Sequence, residues 1–496
     1  MKPRALGFPL VAAGILLLAG AARATAADQW VEVKSAHFAV TSNAGEGAAK
    51  TLAWQLEQIR SAISVLWPWA KVDLNKPLAV FVVKDEPSMK AMAPSYWEQK
   101  GGLHPASLWV GGPDQNYLAL RSDVEARDEI HINPYVTSYF SYVSLILQQS
   151  VGHSLPLWFS RGLAGVMSNT IVRESKIYLG PPIPWHLERL REGMRLKLPA
   201  LLKVTRNSPE FRKGEDLSTF DAESWALVHF LMFGDNGARS PKFEQFAQMV
   251  VRGADPDVAF REALGSPEQL ESAFVIYINR SMFTFRQFNV DASVKREGFT
   301  VEKLTAADAA TRRAFFHAAM GRPVEARAAI AEARKTGDTA ETHVADALLL
   351  DAEGKGEEAQ AAYARAVEAG TTNPYAYYRL ASLQWRGPVE HDALVRIEQL
   401  LTKAISLNSR FAAAYAMVGD ARSVLGIGEP IAMILRAISL DPAEPHYRLT
   451  AATVLLREKK IDEAIQHARI AQSLADTDEE RRRAQEMLDR LARAKG

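Results

Sequence analysis

Eleven histidines and no cysteine set the chemical limits of this 496-residue chain. Without a thiol there is no disulfide, no thiolate zinc or iron–sulfur ligation, no cysteine nucleophile and no lipidated N-terminal cysteine. A metal would have to be held by histidines and carboxylates. The compact way to hold catalytic zinc is H-E-x-x-H on a helix, with two imidazoles one turn apart and the glutamate beside the metal-bound water. That motif does not occur, and no two histidines stand four residues apart. The remaining candidates for a rebuilt metal site are His131 with Asp128 and Glu129, then His153, then His229. Each alone is more often a hydrogen-bonded structural or surface histidine than a ligand. A G-x-S-x-G nucleophile elbow and a G-x-x-x-x-G-K-[ST] phosphate loop are both missing. Trp67-Pro68-Trp69 reads as core or hinge in preference to a carbohydrate-stacking platform. Lys+Arg 59 against Asp+Glu 58 leaves a formal charge of +1, which gives a nucleic-acid partner no support.

The elements that would position any chemistry begin after residue 26. Lys2 and Arg4 precede an apolar run over 6–21, and Ala24-x-Ala26 follows, the pattern of a cleaved secretory signal peptide. Its removal would take Lys2, Arg4 and Arg23 from the 59 bases and nothing from the 58 acids, leaving net −2. The expectation is an exported chain, periplasmic or secreted, without integral membrane association. Two regimes follow, 27–290 and 300–496, joined by a polar stretch without a sustained period. In the first, residues 30–41 alternate as a strand or short hairpin, and Leu52, Leu56, Ile59, Ile63 and Leu66 stripe a helix. Residues 78–83 are continuously apolar, as in a buried strand. Residues 107–110 and 117–120 flank a Gly111-Gly112-Pro113 turn and read as a hairpin. Helices are expected over 134–147 and from Leu155 through Val166.

In the second regime small residues recur with offsets of 12 and 7: Ala314, Ala326, Ala333; then Ala347, Ala359, Ala366; then Ala452, Ala464, Ala471. Units lie about 33–34 residues apart or near multiples of that. This resembles the tetratricopeptide repeat, in which small residues let two antiparallel helices approach. Five repeats are expected over 307–337, 341–372, 375–408, 411–442 and 445–476. The third carries extra residues around Gly387-Pro388, and the fourth is one residue short. A final helix, opened by Thr477 and Glu480 in capping-box spacing, would turn Ala484, Met487, Leu488 and Leu491 inward and Arg481-Arg482-Arg483 outward.

The first regime resembles the peptidase-MA-like (gluzincin) metallopeptidases over about residues 30–285. The fold class implied is an α+β gluzincin-like domain, a small mixed sheet plus helices, followed by an all-α repeat solenoid. Family members carry P-Y-x-x-x-Y-H-E-Y-V-H and then L-P-L-W-F-x-E-G-L-A-E. Here Pro134-Tyr135-Val136-Thr137-Ser138-Tyr139-Phe140-Ser141-Tyr142-Val143-Ser144 and Leu155-Pro156-Leu157-Trp158-Phe159-Ser160-Arg161-Gly162-Leu163-Ala164-Gly165 stand in their place. Residues 180–184 and 223–230 also look like the family's. Carried over by position, the zinc histidines fall on Phe140 and Ser144, the catalytic glutamate on Ser141, and the third ligand on Arg161. The family's tyrosine falls on Asp221. None of these can hold or use zinc as the family does, and an arginine where a cation sat can hold neighbouring acids instead.

The resulting expectation is a pseudo-metallopeptidase, non-catalytic and without metal or cofactor, whose solenoid binds a protein or peptide. A zinc-independent or relocated-site hydrolase is the alternative, and a decoy or regulator that keeps peptide binding is a third. The repeat half is expected to fold alone and to carry most of the partner affinity. The oligomeric state is left open.

Overall fold

The computed structural model describes residues 28–98, 104–124, 132–152, 155–193, 196–206, 208–212, 214–475 and 477–495. The signal-like segment, His131 with Asp128 and Glu129, and His153 lie outside them. Nine strands are present among the described residues: β1 (Val31–Lys34), β2 (Ala39–Ser42), β3 (Leu78–Val83), β4 (Ser107–Gly111), β5 (Asn116–Arg121), β6 (Ile171–Arg173), β7 (Lys176–Leu179), β8 (Arg286–Asn289) and β9 (Thr300–Lys303). Six form a mixed sheet in the order β4-β5-β3-β2-β1-β9, and β6-β7-β8 form a second. β3 runs parallel to both β2 and β5, while β4 turns back antiparallel on β5 through the expected hairpin.

Among the described residues twelve α-helices precede the repeats: α1 (Glu46–Leu66), α2 (Glu86–Met92), α3 (Ser95–Glu98), α4 (Val136–Ser150), α5 (Leu157–Ser168), α6 (Pro184–Arg191), α7 (Leu198–Leu201), α8 (Pro209–Arg212), α9 (Gly214–Gly237, kinked at Gly234–Asn236), α10 (Ser240–Val251), α11 (Pro256–Leu264) and α12 (Pro267–Ile278). The first core joins α1, α4, α5 and α9 through α12 to one face of the large sheet. Trp67 is buried in it and stacks on Trp69 with ring centroids 6.1 Å apart, so the tryptophan pair is packing material.

Alternation along β3 explains its unbroken apolar sequence. Val80 and Val82 point into the first core, whereas Phe81 and Val83 point into a second, as Leu118 and Leu120 do against Tyr117 and Ala119 on β5. A strand covered on both faces has no side to leave polar. The second cover is the repeat region.

Five helix pairs follow: α13 (Ala306–Ala319) with α14 (Pro323–Arg334), α15 (Ala340–Ala352) with α16 (Gly356–Glu368), α17 (Pro374–Gln384) with α18 (His391–Leu407), α19 (Ala412–Leu425) with α20 (Pro430–Leu440), and α21 (Pro445–Arg457) with α22 (Ile461–Leu474). All nine alanines of the three sequence triplets have no exposed surface. Gly419 shows why the positions must be small: a Cβ there would lie 2.4 Å from Ile434 Cγ1 and 2.7 Å from the Pro430 carbonyl oxygen. The extra residues of the third repeat lie in the loop between α17 and α18. The closing helix α23 (Asp478–Lys495) begins with Thr477 and Glu480 bonded reciprocally. It buries Ala484 and Leu491, while its arginine run pairs with Asp478 and Glu479.

The join between the regimes differs from the polar linker expected. β8 pairs with β7, and β9 pairs with β1 across some 270 residues, so the stretch completes both sheets. Phe316 of α13 is fully buried, edge-on to Phe81 at 5.4 Å and to Tyr117 at 5.9 Å. Arg312 Nη1 sits 2.6 Å from the buried carboxylate of Glu32. Farther along, Lys71 Nζ donates to the Ser439 carbonyl at 2.8 Å and Asn75 Nδ2 to the Leu440 carbonyl at 2.6 Å. A fragment beginning at residue 300 would therefore bare Phe316 and take an edge strand from the sheet. The repeat half shares its first core with the sheet, contrary to the independence expected of it.

Candidate functional site

α4 and α5 pack against one another and α5 against α9, so the residues matched to the metallopeptidase motif arrive on neighbouring helices. The closeness of α5 and α9 depends on Gly162. A Cβ there would stand 2.4 Å from the Ser224 carbonyl oxygen and 2.4 Å from Val228 Cγ2. Gly165, one turn on, lies against the Trp225 side chain.

Arg161 is the centre of what results. Its Nε and Nη2 donate to the two carboxylate oxygens of Asp221 on α9, the Nη2 bond measuring 2.6 Å. The guanidinium carbon lies 4.9 Å from the ring centre of Phe140 and 5.4 Å from that of Phe211 on α8. Both partners of the ion pair are about four-fifths buried, with 22% and 18% of their side chains exposed. A fork-to-fork pair between aromatic rings suits guanidinium, whose charge is spread over a plane and is weakly hydrated. The positive charge at this place is supplied by the chain itself and is already neutralised by Asp221.

Ser144 lies one turn beyond Phe140 and lines a cavity of about 210 Å³ together with Arg161, Ser160 and Phe211. The far wall is Ala443 and Leu474 of the repeats. Ser141 turns aside and donates its hydroxyl to the Thr137 carbonyl, 3.2 Å away within its own helix. The structure thus brings together Phe140, Ser144, Arg161 and Asp221 and leaves Ser141 on the outer side. Among the described residues no base lies in hydrogen-bond contact with either serine, and a serine without one is a weak nucleophile.

The histidines of this region serve packing. His229 is fully buried: its Nε2–H donates to the Gly180 carbonyl at 2.8 Å and its Nδ1 accepts from the Tyr277 hydroxyl at 2.6 Å. Both nitrogens are used, and burial holds its pKa down at about 4. His186 lies against Trp225, and burial, then the charge of Arg161, brings its pKa to about 4 as well. Among the described residues no three histidine or carboxylate side chains converge as a metal site would need.

Sequence reasoning named Arg161 and Asp221 but did not find Phe211, His186 or the function of Gly162. Two glycines three apart on one helix face were the available signal for a close helix crossing. Phe211 stands in a short helix of no clear period.

No protein-family model matches the chain, and no curated protein does. Solved structures with some likeness include YrrB, described as a tetratricopeptide protein with an unusual peptide-binding site. It is 16% identical over 36% of this chain and 92% of its own, with a TM-score of 0.31. A thermophilic tetratricopeptide protein of Thermus thermophilus is 20% identical over 38% and 98%, with a TM-score of 0.28. Yeast Tom70 is 12% identical over 62% and 70%, with a TM-score of 0.30.

Proposed function

We propose that the chain is an exported, non-catalytic protein: a metallopeptidase-like domain that has lost its zinc ligands, carrying a repeat solenoid that binds another protein or peptide. The observation that bears most weight is the Arg161–Asp221 pair. A cation fixed in the chain and neutralised by a carboxylate of α9 supports this reading, because it stands where the resemblance would put the third zinc ligand. The binding half of the reading rests on the solenoid, whose stacked helix pairs form an extended surface. Export rests on the signal-like first 26 residues. No helix among the described residues is long and apolar enough to cross a membrane.

A photo-crosslinking residue at exposed Val424 of the solenoid, and another at exposed Gln148 beside the former site, separates the functions in the exporting cell. Adducts are expected from position 424 and not from 148. Turnover of a quenched peptide library by the purified protein would overturn the proposal.

A further inference from the structure

The repeats meet the first domain a second time, away from Phe316. Residues 71–76, between α1 and β3, form one side of this contact and the end of α20 the other. α4 fixes the loop. Ser150 Oγ accepts the Lys71 N–H at 2.8 Å, while Gln149 accepts the Asn75 N–H at 3.1 Å and donates to the Asp73 carbonyl at 3.0 Å. The loop in turn caps α20, because Lys71 Nζ and Asn75 Nδ2 bond to its last carbonyls, those of Ser439 and Leu440. An ammonium at that place meets the negative end of the helix dipole. Arg410, just before α19, donates to the Asp73 carbonyl from the side of the repeats. Among the described residues the apolar clusters of α19 through α22 contain no residue of the first domain, so this contact can open without breaking a core.

Asp441 ends α20 inside the contact. It faces Lys71 and Lys76 of the loop, with Glu444 and Tyr447 on its own side. Arg410 lies beside Lys71, and Asp73 pairs with Arg60 of α1. The two lysines spend their ammonium groups on backbone, Lys71 on Ser439 and Lys76 on the Gly112 carbonyl at 2.9 Å. Asp441 is thus buried opposite cations that are bonded elsewhere, and burial, then the charge of Glu444, raises its pKa to about 6. The chain just beyond it supplies Ala443, which with Leu474 forms the far wall of the cavity beside Ser144 and Arg161.

We propose that this contact is a clasp that tightens as the pH falls from 7.5 to 5, drawing the end of α20 onto residues 71–76 and narrowing the cavity beside Arg161. The sign follows from Asp441. Its carboxyl holds a proton more tightly in the closed contact than in water, so protonation favours closure and ionisation above about pH 6 favours opening. Between pH 7.5 and pH 5 the ratio of closed to open should rise about tenfold. Burial shifts Lys71 and Lys76 downward, and any share of theirs persists when Asp441 is made neutral.

The test is hydrogen–deuterium exchange of the full-length mature protein at pH 7.5 and pH 5, corrected for the intrinsic rate at each pH. The opening constant at amides of residues 71–76 and 437–441 should fall about tenfold in acid. Amides of β3, which report opening of the sheet core, should not show that fall. Asp441→Asn should leave less than about a twofold pH dependence, whereas Asp114→Asn, at the other contact with the repeats, should keep the whole of it. A second reading needs no change at Asp441. Ser144→Cys would give this cysteine-free chain one thiol, facing the cavity. Its rate with 4,4′-dithiodipyridine, relative to a cysteine peptide at the same pH, should slow about tenfold in acid. Opening that is unchanged or greater at pH 5, a pH dependence that survives Asp441→Asn, or a relative thiol rate that does not fall would each overturn the clasp.

Discussion

Replacing Phe316 by alanine tests how the two regimes hold together. The ring is wholly buried, and its edge-to-face partners Phe81 and Tyr117 belong to the sheet. Truncating a core phenylalanine costs about 3–5 kcal/mol, through lost transfer energy and the cavity left behind. Edge-to-face pairs of the kind made with Phe81 and Tyr117 carry about 0.5–1.5 kcal/mol each beyond area. The cavity can close only if the sheet and α13 move together, so the loss should lie near the top of that range, about 4–5 kcal/mol. That is a large share of a domain's usual stability of about 5–15 kcal/mol. Urea unfolding followed by two signals is the assay. Nine of the ten tryptophans precede residue 300, so fluorescence reports the first regime, while far-ultraviolet circular dichroism is weighted to the helical repeats. Both midpoints should fall together. A shift in the dichroism alone, or a total loss below about 1 kcal/mol, would refute a shared core.

Other outcomes follow from the same geometry. Gly162→Ala should destabilise by about 1–3 kcal/mol or more, read as a lower melting temperature, because the new methyl meets backbone at Ser224. Asp221→Leu alone should cost about 3 kcal/mol by stranding Arg161, whereas Arg161→Met with Asp221→Leu should recover most of it in a double-mutant cycle; equal losses would deny the pairing. Stability should fall between pH 6 and pH 4. His186, His229 and His317 are held neutral to about 4, so the unfolded chain takes up three protons there. Asp114 and Asp441, raised by burial to about 6, bind two in the fold and oppose them. The net of one proton predicts a slope of about 1.4 kcal/mol per pH unit from these groups. Urea titrations across that range check it, and stability rising toward acid would contradict it.

The repeats were legible because their constraint is local: two helices that touch need small residues at fixed offsets, and Ala314, Ala326 and Ala333 state it directly. The hairpin of β4 and β5, the helices around Phe140 and Arg161 and the closing helix were legible for similar reasons. The apolar run of β3 announced a buried strand but could not say that the repeats cover one of its faces. β9 was hidden for the opposite reason. Thr300–Lys303 is exposed along its length, so its pairing with β1 is a backbone matter that leaves no side-chain pattern. At the site, Arg161 and Asp221 were found through aligned motifs. Phe211 was missed because a ring under a guanidinium is fixed by three-dimensional packing of a four-residue helix.

Zinc content and peptide turnover, measured on one preparation of the purified mature protein before and after dialysis against zinc and then a chelator, test the central reading most directly. The account predicts no stoichiometric zinc, no turnover in either state and an unchanged melting temperature. One bound zinc per chain, with turnover that the chelator abolishes, would contradict it.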